Sequence, residues 1–365
     1  MRIALLTFHR ALNYGALLQA YALKTVLEKL GNSVSVIDYR NQVIEDAYYY
    51  QSFFERKGFK SKIKYIIQGS TEISKRNKFE RFRNDKLSLS DKEFTKVNIH
   101  SINQLYDLFV VGSDQVWNYN AHGFDTTYFL DFVEDNSKKR SYAASIGLST
   151  LSDSYMIEYK RLLNNYQIVS IREKQGKDLL NSCGISNVRV DVDPTLLLTS
   201  SEWKQVASDY SISENYIFAY YFELTPSLKL FVEKLAKATG CIVVYVGNAF
   251  KSPFDCSCLG LKDASPEEFV SAISNASYVV TNSFHGTALS IVFNRPFFVE
   301  LLQSDSAVNS RLSNILQETF LEHRQLTCFK DINEACESSI NWDEVNDIIS
   351  SKRHDSVAYL MEYMK

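Results

Sequence analysis

Short apolar runs rich in β-branched residues alternate with stretches of helical periodicity along most of the chain. Residues 2–8 form the first apolar run, residues 12–30 repeat apolar positions at helical spacing, and Gly31 marks the expected end of that helix. A second apolar run follows at residues 33–39. Because strand–helix–strand units of this kind build parallel sheets covered by helices, the pattern predicts an α/β protein with doubly wound, Rossmann-like domains.

Further strand-then-turn patterns occur in both halves of the chain, at residues 106–118, 140–147, 167–173, 187–198, 216–221, 241–247 and 278–299. Residues 198–215 are polar and lack a strand pattern. We therefore expect an N-terminal domain over 1–205 and a C-terminal domain over 206–340. Two amphipathic helical stretches over 341–365 are expected to pack back on the first domain.

The stretch 278–299 predicts a buried strand, a tight turn, a short helix over 287–293 and a further strand. Asn282 and Ser283 can cap the helix, and Gly286 allows a close approach of the backbone. His285 then lies at the carboxyl end of a strand and the amino end of a helix, where α/β proteins bind ligands and where anions are favoured. We take His285 to be functional; the alternative is a histidine that only packs against the helix start.

Polar residues follow other predicted strands. The first turn lacks the Gly-x-Gly-x-x-Gly spacing of a dinucleotide site, but Asn13 and Gly15 either present N–H groups to an anion or form a plain turn. Ser113 and Asp114 follow a buried run and should point to the same rim. Arg172 ends another strand, where it is either a carboxylate or phosphate ligand or a partner in a salt bridge with its neighbours.

Residues 41–98 differ from the rest because they are rich in Tyr, Phe, Lys and Arg. The spacing predicts one or two amphipathic helices inserted between strands. Such a run usually forms a solvated helix face. The sharper hypothesis is a peripheral surface that contacts the inner face of a membrane and meets a phosphate-bearing, lipid-linked acceptor.

Composition narrows the function classes. The length of 365 residues fits two domains, and a net charge of −3 argues against a nucleic-acid partner. No apolar run approaches the roughly 18 residues of a membrane span. The six cysteines are scattered, and Cys256 and Cys258 are too close for an ordinary zinc knuckle. We expect a cytoplasmic protein with reduced thiols, no metal site and no cofactor; the pattern carries no signal for an oligomeric state.

With these elements placed, the chain resembles the polysaccharide pyruvyl transferase family. The resemblance rests on Val-Gly-Ser-Asp-Gln-Val-Trp-Asn at 111–118, Thr-Asn-Ser-Phe-His-Gly-Thr-Ala at 281–288, and the stretches 13–23, 141–147, 169–173 and 192–196, in family order. It implies two Rossmann-like domains facing across a cleft, as in GT-B glycosyltransferases. It also implies transfer of a pyruvyl group from phosphoenolpyruvate to two hydroxyls of a sugar in a capsule, exopolysaccharide or cell-wall repeat unit, with formation of a cyclic ketal.

One position departs from the family pattern. Some members carry a basic residue, associated with donor binding, where this chain has Ser283. Arg311, on a later predicted helix, is a candidate to supply that charge. In the implied reaction His285 suits proton transfer near neutral pH, and Asp114 is a weaker candidate for a base or hydroxyl ligand.

Two other functions remain open. One is a GT-B glycosyltransferase that uses a nucleotide-sugar, because the same architecture would serve it. The other is a non-catalytic carbohydrate-binding relative, which Ser283 would permit because the donor site is one cation short. Fold alone does not choose among the three functions.

Overall fold

The structure is a computed structural model that describes residues 1–49, 59–247, 252–302 and 306–363; for 59–68, 306–308 and 363 it describes the backbone only. Two compact units divide the chain. The first comprises Met1–Tyr49, Arg83–Leu198 and Ile349–Lys365, and the second comprises Tyr50–Phe82 and Thr199–Ile348. The sequence placed the whole basic insertion in the N-terminal domain, whereas its described helical part up to Phe82 groups with the second unit.

Strands and helices alternate in both units. The strands are β1 Arg2–Leu6, β2 Ser33–Val36, β3 Leu108–Val111, β4 Lys139–Ser141, β5 Val169–Ile171, β6 Val188–Val190, β7 Tyr216–Tyr220, β8 Ile242–Val246, β9 Cys258–Leu261, β10 Tyr278–Thr281 and β11 Phe297–Val299. The helices are α1 Tyr14–Lys29, α2 Gln42–Ala47, α3 Phe59–Lys86, α4 Tyr119–His122, α5 Asp153–Leu163, α6 Lys174–Ser182, α7 Ser200–Lys204, α8 Pro226–Thr239, α9 Pro266–Ser274, α10 Phe284–Val292, α11 Ser306–Glu318, α12 Ile332–Glu337 and α13 Trp342–Tyr363.

The sheet of the first unit has the order β2-β1-β3-β4, with every pair parallel. Strands β5 and β6 form a separate parallel pair, and Ala144 bridges to both Asp114 and Ile171. The strand expected over 140–147 ends at Ser141, because Ala143 has a φ of +47° and a left-handed residue breaks strand geometry. A short strand followed by an irregular segment therefore replaces the one long strand that the sequence predicted.

The sheet of the second unit has the order β11-β10-β7-β8-β9 and is also parallel throughout. Strand order reverses between β7 and β10, and crevices at such reversals are where open α/β sheets bind ligands. Together with the first sheet, this arrangement confirms the α/β, Rossmann-like prediction. The edge strand β9 was not predicted, because it has only four residues and Gly260 weakens the strand pattern.

Helix α13 confirms that the C-terminal segment packs back on the first unit, although one continuous helix replaces the two expected. Arg353 donates to the carbonyl of Leu196 at 2.8 Å, and Ser356 donates to the Asp191 carboxylate at 3.0 Å. The Tyr359 hydroxyl donates to a carbonyl of β4 at 3.1 Å. These bonds join the helix to chain segments far away in sequence.

Some of the basic side chains of helix α3 contact carboxylates inside the second unit. Lys78 donates to Glu268 at 3.0 Å, and Ser74 donates to Asp263 at 2.5 Å. Arg76 lies 3.3 Å from Glu72 on the same helix. Residues 50–58 lie outside the described residues, so membrane contact by the insertion stays a prediction. No helix in the described ranges is long and apolar enough to cross a bilayer.

A buried cluster of charged side chains lies at the turn that follows β1 in the first unit. Arg10 reaches both oxygens of Asp38 at 2.7 and 2.5 Å, and His9 Nε2 lies 3.1 Å from the same carboxylate. Burial raises the pKa of Asp38, but the hydrogen bonds and positive charge of His9 and Arg10 outweigh burial and lower the pKa from 3.8 to about 2. Asp38 therefore stabilises the fold as a carboxylate.

We expect Asp38→Asn to lower the free energy of unfolding most above pH 5. Because the folded pKa is depressed, the stabilisation is complete above the unfolded value of 3.8 and is lost as pH falls through about 2. The difference in the free energy of unfolding between wild type and variant, measured by urea titration, should become smaller as the pH falls through that range. The exposed Asp178→Asn serves as control, and a gap that stays constant with pH would contradict the assignment.

Candidate functional site

The turn between β10 and α10 is fixed by a serine cap. Ser283 has an extended backbone, and its Oγ accepts from Gly286 N at 3.4 Å. Its own N–H donates to Thr281 Oγ1 at 3.0 Å, and its carbonyl accepts from Thr287 N at 3.0 Å. The side chain is buried. Ser283 therefore satisfies helix donors in the way typical of an N-cap residue, as the sequence predicted.

Gly286 lets α10 approach β10 closely. A Cβ at this position would lie 2.5 Å from Thr281 Oγ1, well inside contact distance. The same Thr281 hydroxyl donates to the carbonyl of Tyr220 at 2.5 Å, which ties β10 to β7. Thr281 cannot easily move away without losing these bonds, so a glycine is required where the helix meets the strand.

His285 lies in the first turn of α10. The helix begins at Phe284, three residues before the expected start, so the histidine is part of the helix and not only of the turn. Its ring is mostly buried and packs edge-on against Phe284, with 5.3 Å between ring centroids. The position at the carboxyl end of β10 agrees with the sequence argument; a catalytic role stays a prediction.

Asn282, a cap candidate in the sequence beside Ser283, is not the cap; it positions the loop after β7 instead. Its fully buried amide accepts from Phe222 N at 2.8 Å and donates to the carbonyl of Glu223 at 2.8 Å. These bonds join the loop after β7 to the turn before α10. The available signal was an amide directly after a buried strand, but its partners are about 60 residues away in sequence and no local pattern identifies them.

Arg311 also belongs to the second unit. It lies on α11, a helix that packs against α10, and its side chain is buried. A buried guanidinium on a helix adjacent to the histidine-bearing helix fits the expectation that Arg311 supplies a cation. Its role as a donor ligand stays a prediction.

The first unit buries Arg172 among carboxylates. Arg172 Nη1 lies 2.6 Å from Asp193 Oδ2, and Arg172 Nε lies 3.8 Å from Glu173 Oε2. Ser113 Oγ donates to the same Asp193 oxygen at 3.1 Å. Burial alone would lower the pKa of Arg172, but the charges of Asp193 and Glu173 raise it. The salt-bridge alternative thus describes the present geometry, and phosphate or carboxylate binding by Arg172 stays a prediction.

Asp114 occupies a left-handed backbone conformation directly after Ser113. Its φ is +73°, its carboxylate accepts from Gln115 N at 2.9 Å, and its carbonyl accepts from Ser145 N at 2.9 Å. Aspartate adopts this left-handed conformation more readily than most residues, and the hydrogen bonds from Gln115 N and Ser145 N hold it in place. A role for Asp114 as a base or hydroxyl ligand stays a prediction.

Asn13 and Asp114 come together around Tyr48. Asn13 caps α1, accepting from Ala16 N at 3.2 Å, and its side chain also hydrogen-bonds Tyr48. Burial first, and then the Asp114 charge, raises the pKa of Tyr48. Gly15 is buried in the first turn of α1. If Asn13 and Gly15 bind an anion, the N–H groups that bind it are therefore those of a helix start. The structure thus places these two polar residues at the same rim of the first sheet.

Within the described ranges, no group of three or more His, Cys, Asp and Glu side chains could hold a metal ion.

The fold and the polar groups at strand ends define an α/β protein of the GT-B class. Methanocaldococcus jannaschii UDP-GlcNAc 2-epimerase, solved with UDP-GlcNAc and UDP, aligns with a TM-score of 0.53 over 96% of this chain and 99% of its own, at 11% identity. Anabaena HepE, solved with UDP and glucose, aligns with a TM-score of 0.51 over 100% and 99%, at 10% identity. At such identities the likeness shows the fold alone.

The family is defined by sequence. The model of the polysaccharide pyruvyl transferase family matches residues 13–300, which is most of the chain. The chain therefore belongs to the polysaccharide pyruvyl transferase family. No curated protein matches the sequence.

We expect Arg172→Ala to lower the free energy of unfolding by about 3–5 kcal/mol, because it leaves buried carboxylates without their cation. Arg161→Ala, which breaks an ion pair whose arginine side chain is 59% exposed, should change it by less than about 1 kcal/mol. Urea unfolding measures both. Equal effects would mean that Arg172 is dispensable for folding, and would strengthen its assignment as a ligand.

Gly286→Ala should destabilise the protein by about 1–3 kcal/mol, because the added methyl group overlaps Thr281 Oγ1. Gly247→Ala is the matched control in the same unit, since among the described residues a Cβ there would meet only Tyr245, at 3.7 Å. Thermal or urea unfolding of the two variants makes the comparison. Similar stabilities would refute the close-packing argument.

Proposed function

We propose that this protein transfers a pyruvyl group from phosphoenolpyruvate to a sugar of a polysaccharide repeat unit and forms a cyclic ketal, in the synthesis of a capsule or exopolysaccharide. Membership of the family supports the reaction class. The observation that carries the assignment to residues is His285 in the first turn of α10, directly after β10. A histidine at a strand end and helix start combines proton transfer with a setting that favours anions.

The chemistry requires one proton donor and one base. Protonation of C3 of phosphoenolpyruvate makes C2 electrophilic, and the first sugar hydroxyl adds to C2 as it loses its proton. The C2–O bond to phosphate then breaks, and the second hydroxyl adds and loses its proton. The products are the ketal and inorganic phosphate; one proton ends on C3 and one on phosphate. His285 is the proposed acid, and Asp114 is the proposed hydroxyl ligand or base.

The donor is a small molecule with a carboxylate and a phosphate, so its site needs positive potential. The start of α10 offers N–H groups and the positive end of a helix dipole. Arg311, buried on the helix packed against α10, is the proposed source of the cation that Ser283 does not provide. Arg172 is the proposed contribution of the first unit, since its guanidinium stays charged.

The acceptor is proposed to be a saccharide, and a lipid-linked acceptor follows only if the basic insertion contacts a membrane. On α3, Lys78 and Arg76 already have carboxylate neighbours within the second unit. Because two of its cations are paired in this way, packing within the second unit explains this helix better than a free basic surface does. We retain the lipid-linked acceptor as the narrower proposal.

A nucleotide-sugar enzyme is the second candidate. It is favoured by the likeness in fold to an epimerase solved with UDP-GlcNAc and UDP and to HepE solved with UDP and glucose. A non-catalytic saccharide-binding function is the third, because Ser283 leaves the donor site with one cation fewer than in some relatives. Ligand binding separates the three.

His285→Ala should lower pyruvyl transfer by about 10²–10⁴-fold with the fold intact, because a positioned acid or base typically supplies that factor. The exposed His354→Ala is the control and should retain wild-type turnover. Release of phosphate from phosphoenolpyruvate in the presence of saccharide acceptors measures the rate, and near-full turnover by His285→Ala would exclude it as the acid. Circular dichroism and urea unfolding verify the fold.

Thermal shift with phosphoenolpyruvate against nucleotide diphosphate sugars decides the donor. A specific ligand at about 100 times its dissociation constant stabilises by roughly 2.7 kcal/mol, which a melt resolves. Stabilisation by phosphoenolpyruvate supports the proposal. Stabilisation by a nucleotide-sugar alone favours the second candidate, and saccharide binding without either donor favours the third.

A further inference from the structure

Strand β7 and the loop after it carry three aromatic side chains that lead out of the core of the second unit. The rings of Phe218 and Tyr220 are stacked with 6.4 Å between their centroids, and the Phe222 ring lies 6.3 Å from that of Tyr220. The exposed fraction rises along this row from 0% at Phe218 through 9% at Tyr220 to 55% at Phe222. The row therefore ends in a solvent-facing ring just beyond the carboxyl end of β7.

The row of rings lies on the side of the sheet that α9 and α10 cover. Tyr220 packs against Phe269 of α9, with 4.7 Å between ring centroids, and α9 packs against α10. The alternate residues of β7, Ile217 and Ala219, pack instead with side chains of α8 on the other side of the sheet. Because the Phe222 ring neighbours that of Tyr220, it emerges on the side of α9 and α10.

Asn282 fixes the backbone that carries the exposed ring. Its buried amide accepts from Phe222 N at 2.8 Å and donates to the carbonyl of Glu223 at 2.8 Å. Asn282 is followed by Ser283, the cap of α10, and His285 lies in the first turn of that helix. Two hydrogen bonds therefore hold the backbone of Phe222 next to the turn that precedes the proposed acid.

Phe222 is distinguished by its position and not by its exposure, since single exposed apolar side chains are common on protein surfaces. It follows β7 where strand order reverses between β7 and β10, and open α/β sheets bind ligands at the carboxyl ends of strands at such reversals. Phe320 provides the contrast, because it is 65% exposed but follows the end of α11. The position and the fixed backbone together indicate that the Phe222 ring contacts a ligand.

The chemistry of an aromatic ring indicates which of the two substrates it contacts. The face of the ring is the negative side of its quadrupole, so it disfavours the carboxylate and phosphate of phosphoenolpyruvate. A neutral sugar ring has an apolar face of C–H groups that packs on an aromatic surface. The start of α10 favours the anionic donor. A sugar held beside it would bring a hydroxyl to C2 of the donor, as pyruvyl transfer requires.

We propose that Phe222 is a specificity-determining residue for the acceptor: its ring packs against the carbon face of the sugar that receives the pyruvyl group, and Asn282 holds it in position. The inference rests on the proposed function and names a residue that selects the acceptor of that same site. Saccharide binding tests the role of Phe222, and phosphoenolpyruvate binding tests the donor, so the two can fail separately.

Calorimetric titration of the whole protein with methyl glucoside and methyl galactoside tests the contact. Phe222→Ala should weaken glycoside binding by about tenfold, because it removes an aromatic contact. Phe222→Tyr, which keeps the ring, and the control Phe320→Ala should bind as the wild type does. Thermal shift by phosphoenolpyruvate should be the same in all three variants as in the wild type.

Equal glycoside binding by Phe222→Ala and wild type would overturn the proposal. So would the absence of binding by the wild type up to about 50 mM, which is well above the KM range typical of enzymes. If glycoside binding depends on Phe222 while phosphoenolpyruvate gives no thermal shift, the ring contact stands and the proposed donor is wrong. Uridine as a better ligand than either glycoside, with binding weakened in Phe222→Ala, would overturn the acceptor assignment and favour the nucleotide-sugar candidate.

Steady-state pyruvyl transfer separates binding from catalysis. In Phe222→Ala the KM for the saccharide acceptor should rise by about tenfold, while the KM for phosphoenolpyruvate and kcat stay close to those of the wild type. A fall in kcat with an unchanged KM for the acceptor would overturn the proposal, because a residue that only binds the sugar acts before the chemical step.

Phe222→Trp provides a spectroscopic test that keeps an aromatic face. The exposed position accepts the larger ring, and its fluorescence reports the contact directly. Addition of methyl glucoside or methyl galactoside should change the emission of this variant, and the same addition should leave the emission of the wild type, which has three tryptophans, unchanged. An emission of Phe222→Trp that does not respond to either glycoside would overturn the proposal.

Discussion

The contact between Gly286 and Thr281 is the constraint on which the second unit depends. Thr281 Oγ1 donates to Tyr220 on β7, accepts from Ser283 N, and lies where a side chain at position 286 would be. One hydroxyl therefore contacts both β7 and the start of α10. Because His285 lies between Ser283 and Gly286, these contacts also hold the position of the histidine.

The first unit positions its polar groups by buried ion pairs and not by close packing. Arg172 is held by a buried ion pair with Asp193 and by the more distant Glu173. Removing one member of such a cluster is strongly destabilising, whereas the intact cluster adds little net stability. An anionic ligand that reaches Arg172 therefore has to compete with Asp193. This competition makes a variant of Arg172 ambiguous as a binding test unless its stability is measured first.

Periodicity, caps and turns were sufficient to predict the parallel α/β units and the turn at 283–286, because those signals are local. The irregular chain path after Ser141 was not predictable. Ala143 takes a left-handed conformation, and nothing in the identity of an alanine indicates it. The edge strand β9 was missed because it is short and contains Gly260. Asn282 acts through residues about 60 positions away, and those contacts exist only after folding.

The charge of the proposed donor limits how the second unit can bind it. Phosphoenolpyruvate carries a carboxylate and a phosphate, so its site requires positive groups. Ser283 is committed to capping α10 through Gly286 N, and a neutral cap cannot replace the basic residue that some relatives carry there. If the donor binds at the α10 start, its charge has to be balanced by helix N–H groups and by Arg311.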